Sequence, residues 1–408
     1  MILLLLAALA TQSTFLPLDR GEDNMEKNTG LWFRPDLGKV EDVLPLKTRI
    51  WATKESVTGG VALKCVFEKG ARGKLTFEKD AWPAGSAGIT FYAKASKPLK
   101  VIVGMKAFKP VDIGTEWKKH DLSWESLETV REKPEIGWQF VFRVASPIEE
   151  RTILWLDRIG VETVFDPSPK IEPQSGPDAT FSSREMLYGA EHLAKTLARA
   201  KAKQPFKVIA LGDSITGGAQ CTRGSLEIPH AQGVPFLYFS HLARLWEQHF
   251  GYKGITPLQF GHGGWTAEKA MEVIDKEVVA AAGADDLVIL QFGGNDMTWA
   301  GKSPAQWKDA MKKLIARVKT KTDQVLLLGA TAGADIHKKQ GEIEKAFKEL
   351  VAEEKVAAAD TGKFFYYRGE PFAYAMLANQ FHPDFMGHLT MGEMIAPILT
   401  GKEKIYPE

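Results

Sequence analysis

Two cysteines in 408 residues, Cys65 and Cys221, are too few to define a disulfide framework. They fall in different halves of the chain, and Cys65 sits in an alternating strand pattern where a thiol packs as a small hydrophobe. A basic stripe is also missing. With 52 Lys and Arg against 51 Asp and Glu the formal charge is +1, so nothing in the charge points to nucleic acid. The nine histidines show no tight metal-ligand spacing, and no metal is expected. The apolar run at residues 2–10 is too short to span a bilayer. It ends in Ala8-Leu9-Ala10, a small-x-small cleavage pattern, so residues 1–10 read as a signal peptide although no Lys or Arg precedes them. A secreted or periplasmic protein with no stable membrane span is the expectation. No cysteine follows Ala10 closely, which argues against a lipid anchor.

What is present is a globular balance, 44% hydrophobic and 25% charged, in a chain long enough for two domains. Residues 17–165 are assigned as the first domain, and 31–165 read as short strands. Val61, Leu63, Cys65 and Phe67 alternate with more polar neighbours, as do Ile89, Phe91 and Ala93, then Leu99, Val101, Val103 and Met105. Residues 138–144 and 153–161 add two more strands. Many short strands without a long helical period predict an all-β sandwich or jelly roll. The stretches 88–95 and 154–159 resemble the β-jelly-roll modules that accompany carbohydrate-active enzymes. Trp82, Trp117, Trp124 and Trp138 read chiefly as core, with a sugar-stacking face as the other reading. Residues 166–182, rich in Pro and Ser at the start, are assigned as linker, and 183–408 as the second domain.

In that second half, strand runs alternate with helical periods. A helix is expected through Leu187, Ala190, Leu193, Ala194 and Leu197. Others are expected over 266–282, 304–319 and 341–355, the second opened by Ser303 as cap and Pro304 at the first turn. The largely apolar runs 206–210, 287–292 and 325–328 read as buried parallel strands, giving a three-layer α/β domain. The first run feeds Leu211-Gly212-Asp213-Ser214-Ile215-Thr216, which places a hydroxyl at the carboxyl edge of the sheet, where such folds hold ligands. A serine there can attack a carbonyl if a base takes its proton and donors hold the oxyanion. Asn295, at the end of another strand in Gly293-Gly294-Asn295-Asp296, offers an uncharged donor. His382 offers a base of suitable pKa. Gly261-x-Gly263 reads weakly as a dinucleotide loop, because Thr266 stands where that fingerprint wants Gly or Ala. His262 in the same loop either lines a pocket or packs.

Gly212-Asp213-Ser214, Gly264, Gly293-Gly294-Asn295-Asp296 and His382-Pro383, in this order and spacing, resemble the SGNH (GDSL-type) hydrolases over roughly the last half of the chain. The resemblance implies a flavodoxin-like three-layer domain, with Ser214 as nucleophile and His382 as general base. It implies an oxyanion hole from the Ser214 and Gly264 N–H groups and the Asn295 amide, and no cofactor. Asp296 is expected to hold its loop, and His388 to be structural at the start of the last helix. Asp213, Trp265, Asp296 and Trp299 are candidates to line the pocket. The family pattern places an aspartate three residues before the histidine. Here Asn379 stands there, able to orient the ring but not to stabilise imidazolium as a carboxylate does. A jelly roll ahead of such a domain resembles the two-domain carbohydrate esterases, so the expected substrate is an O-acetylated carbohydrate. A lipase, lysophospholipase or thioesterase is the enzymatic alternative. A decayed glycan-binding surface protein is the non-enzymatic one.

Overall fold

The computed structural model describes residues 15–17, 31–35, 48–57, 62–71, 73–79, 86–104, 108–127, 138–162, 165, 180–219, 221, 236–329, 338–365, 382–383 and 385–406. The apolar run 2–10, the stretch 166–179, Trp82, Met105, Asn379 and the side chain of Trp138 lie outside them. The described residues divide into two compact units, the second beginning at Thr180.

The first unit is built from two antiparallel sheets. One runs in the order Thr48–Thr53, Ala62–Phe67, Thr152–Glu162, Gly88–Ala95, Lys118–Ser123, with Phe15–Pro17 also on Thr152–Glu162. The other runs Leu31–Pro35, Gly73–Lys79, Trp138–Val144, Leu99–Gly104, Phe108–Ile113. Phe91 of the first sheet meets Phe142 of the second edge to face at 4.7 Å, so the sheets pack as a sandwich. Alternation over 88–95 predicts one wet face, yet only Lys94 is not buried there. The second face carries Thr90, Tyr92 and Lys94, and is covered as well. Lys94 lies over the rings of Trp117 and Trp155, and Trp124 donates its indole N–H to Ser86. Those contacts favour the structural reading for Trp117 and Trp124. Cys65 is buried and free, its thiol pushed far above the ordinary value by burial.

The second unit holds a six-stranded sheet. Its strands are β1 (Leu187–Tyr188), β2 (Phe206–Gly212), β3 (Ile255–Gly261), β4 (Leu287–Gln291), β5 (Val325–Leu328) and β6 (Ala357–Ala359), in spatial order β1-β6-β5-β4-β2-β3. All pairings are parallel except β1 with β6. The central strands are continuous hydrophobic runs because both faces are covered. Ile209, Leu211, Val288, Leu290, Val325 and Leu327 form one core with Trp307, Met311 and Leu314 of Pro304–Val318 and Phe347 and Leu350 of Gln340–Glu354. On the other side, α1 (Tyr238–Phe250) lies against β2 and β3 and packs on α2 (Phe385–Ile395). The domain is therefore a three-layer α/β unit.

Three local expectations are corrected. The helix expected from Leu187 begins only after Gly189, whose φ of +66° breaks it, and Leu187–Tyr188 pairs instead with β6. Phe181–Ser182, read as linker, is a strand paired with Ile405–Tyr406 inside the second unit. The helix expected over 266–282 is a short 3₁₀ turn, Lys269–Glu272, followed by a π-helical turn, Asp275–Val279. Ile274 and Val278 are nevertheless buried, while Met271 is not.

Candidate active site

The strand order reverses at β2. The chain leaves β2 for β3 on one side, returns to β4 on the other, and then works outward through β5. Open α/β sheets bind ligands at the carboxyl ends of the strands beside such a switch. Ser214 follows β2 and Asn295 follows β4, so both emerge at that crevice. After Gly212 the chain turns helically, with Gly217 N–H on Asp213 O at 3.0 Å and Ala219 N–H on Ser214 O at 2.9 Å. This leaves the Ser214 hydroxyl half-buried at the edge of the sheet.

His382, just ahead of α2, places Nε2 2.8 Å from Ser214 Oγ, although 168 residues separate them. Burial holds the imidazole below its ordinary value. A base acts in its neutral form, and a lowered pKa keeps that form populated at more acid pH. Activity that depends on His382 should therefore persist as pH falls through about 6.5 and disappear only below it, read as the acid limb of kcat/KM against pH. A limb centred above 6.5 would contradict the buried setting.

The glycine loop after β3 is tied to the nucleophile strand by His262 N–H donating to Gly212 O at 2.9 Å. Gly264 has φ +78°, a left-handed conformation that frees its backbone from side-chain constraint. Asn295 is buried in the one-turn helix Gly294–Thr298, behind Gly293 at φ +129°. Its Nδ2 donates one hydrogen to Trp265 O at 3.0 Å. That bond fixes the amide plane and leaves the second N–H for a ligand oxygen.

Asp213 and Asp296, candidates for the pocket lining, are instead buried. Asp213 accepts from Ile215 N–H at 2.8 Å, and burial, opposed by that bond, lifts its carboxyl to about 7. Asp296 takes Ala267 N–H on both carboxylate oxygens, at 3.1 and 3.2 Å, and so locks the Asn295 turn to the glycine loop. Sequence adjacency to a reactive residue does not give side-chain direction, and both carboxylates point to backbone donors. Asp296 thus holds its loop, as expected. Trp265 and Trp299 also part company. Trp265 is stacked by His262, whereas Trp299 is 73% exposed one helical turn after Asn295.

Beneath Ser214 runs a buried polar chain without a counterpart in the motif reading. Thr216 Oγ1 donates to Gln291 Oε1 at 3.0 Å and accepts from Tyr238 OH at 2.8 Å. His388 in α2 stacks parallel on Tyr238, and burial together with the His382 imidazole drives it down to about 3. His388 is therefore neutral packing material, consistent with a structural role. Among the described residues no group of three or more His, Cys, Asp or Glu can hold a metal, and no helix is long and apolar enough to cross a membrane.

A hydroxyl beside an imidazole, with an aimed amide and a glycine loop at a sheet edge, is the constellation of an acyl hydrolase. Residues 210–389 match the model described as GDSL-like Lipase/Acylhydrolase family. No curated protein matches the chain. Among solved structures, the chain is similar to the lipase/acylhydrolase from Enterococcus faecalis (21% identity, TM-score 0.39), covering 49% of this chain and 97% of that one. A two-domain esterase (CEX) active on acetylated mannans gives 20% identity and a TM-score of 0.42 over 54% of this chain and 56% of that one. A family two carbohydrate esterase from Clostridium thermocellum in complex with cellohexaose gives 12% identity and a TM-score of 0.36, covering 83% of this chain and 94% of that one.

Proposed function

We propose that the protein is an exported serine esterase that removes acyl groups, O-acetyl foremost, from a carbohydrate. The observation that carries the esterase chemistry is the 2.8 Å contact between His382 Nε2 and Ser214 Oγ at the switch point. In this reading Ser214 attacks the ester carbonyl while His382 takes its proton. The tetrahedral oxyanion is held by the Ser214 and Gly264 N–H groups and the free Asn295 N–H. His382 then gives that proton to the departing sugar oxygen, which leaves as a hydroxyl, and water enters by the same route to release the acid. Asn379, as orienter of the ring, belongs to the same proposal.

Two features support a carbohydrate substrate. An all-β sandwich precedes the hydrolase unit, and Trp299 presents an exposed indole one turn from Asn295. An aromatic face matches the apolar face of a pyranose. The deciding comparison is hydrolysis of p-nitrophenyl acetate against p-nitrophenyl octanoate, beside acetate release from an acetylated polysaccharide, for wild type and Ser214→Ala. Serine-dependent acetate release with weak octanoate turnover is expected. A preference for octanoate would move the substrate to lipids, and glycan binding without any release would mark a binding protein. Trp299→Ala should raise KM for the polysaccharide about fivefold, from a lost stacking contact of about 1 kcal/mol, with a smaller change on p-nitrophenyl acetate.

A further inference from the structure

We infer that His262 and Glu277 are positioning residues that brace the oxyanion side of the site, an assignment that rests on the esterase reading above. The problem they solve is visible in the glycine loop. Gly263 and Gly264 are exposed, and a Cβ built on either would meet nothing within 4 Å. The segment that carries the Gly264 donor therefore has no packing of its own at these two residues. A donor is useful in the transition state only if it is already in place, because ordering it during the reaction would cost the stabilisation it supplies. Rigidity must come from the two residues that flank the glycines.

Those residues are His262 and Trp265, and they are held to each other twice. Trp265 N–H donates to His262 O at 3.2 Å, closing a turn over the glycine pair. Their rings lie parallel, centroids 4.1 Å apart and planes 15° off. Lys269 Nζ also lies 5.0 Å from the Trp265 ring centroid. The stack is anchored from outside the loop, where Glu277 Oε2 accepts from His262 Nε2 at 2.7 Å. Glu277 lies in the π-helical turn Asp275–Val279, a backbone irregularity found often at functional sites. The other end of the brace reaches the second donor directly, because Trp265 O takes the Asn295 Nδ2 hydrogen at 3.0 Å. A connected path thus runs from Glu277 through His262 and Trp265 to Asn295, with the Gly264 N–H suspended inside it. Loss of the anchor frees the stack, and both donors lose their aim while Ser214 and His382 keep theirs.

The test uses a p-nitrophenyl phosphonate ester, whose phosphoryl oxygen occupies the oxyanion position as Ser214 Oγ displaces p-nitrophenoxide from phosphorus. Glu277→Ala should slow both this labelling and kcat on p-nitrophenyl acetate by about 10-fold or more, with KM within about twofold. Glu277→Gln retains an acceptor oxygen and should recover most of the rate. His262→Phe keeps the stack, loses the anchor, and should fall to the level of Glu277→Ala. It also decides the matter if the alanine variant does not fold. Wild-type labelling rates in Glu277→Ala and His262→Phe, or a glutamine variant as slow as alanine, would overturn the brace. Failure of wild type to be labelled at Ser214 at all would overturn the esterase reading itself, and this inference with it.

Discussion

Ser214→Ala is expected to lower kcat/KM on an activated ester by about 10⁴-fold to 10⁶-fold, and His382→Ala by a similar factor. The double variant should be no slower than either single one. The reason is the 2.8 Å contact between Nε2 and Oγ. A serine hydroxyl is a poor nucleophile until its proton is taken, and an imidazole without that hydroxyl has nothing to activate. The two side chains therefore act as one unit, and removal of either removes the whole contribution. Slow turnover that survives would come from the oxyanion donors and from substrate binding. Additive losses, with the double variant slower by the product of the single factors, would mean that the residues work independently and that another group activates the serine. The measurement is a double-mutant cycle on p-nitrophenyl acetate, with folding of each variant checked by its thermal midpoint.

How much of this site could be read from the chain alone depended on what each segment is made of. β5 is wholly apolar, and β2 and β4 are apolar apart from Lys207 and Gln291, because helices cover both faces, and such runs announce themselves. The residues at their carboxyl ends, Ser214 and Asn295, were legible for the same reason. β6 was not, because its three alanines carry no strand preference, and only the neighbours Leu326–Leu328 and Leu187–Tyr188 make it a strand. β3 was hidden by Pro257 and by the polar Gln259. Proline is tolerated there because β3 is the edge strand and pairs with β2 alone.

Side-chain direction was the other illegible quantity. Asp213, Trp265, Asp296 and Trp299 all sit beside motif residues, and only the fold separates the two carboxylates that hold backbone from the indole that faces solvent. Glu277 gave no signal of its own, being one acidic residue in a segment with a helical period. Its partner His262 was visible as a residue of the glycine loop, but its role was not, because the 2.7 Å bond joins two irregular segments that no periodicity describes.

Asn295 is the residue at which these two levels meet, and its replacement is the second large effect expected. Asn295→Ala should lower kcat by about 10²-fold to 10³-fold while KM changes little, since the donor is needed when the carbonyl oxygen becomes charged rather than when the substrate docks. The amide has two hydrogens, and the bond to Trp265 O consumes one of them. The remaining N–H is thus held in one direction inside a buried setting, where a hydrogen bond to a charged oxygen is stronger than in water. Asn295→Asp should be worse than alanine near neutral pH. An ionised carboxylate cannot donate to Trp265 O, and it sets a negative charge against the developing oxyanion. Steady-state kinetics on p-nitrophenyl acetate separate the alternatives. A raised KM at unchanged kcat would make Asn295 a ground-state binding residue, and an aspartate variant as active as wild type would remove it from the oxyanion hole.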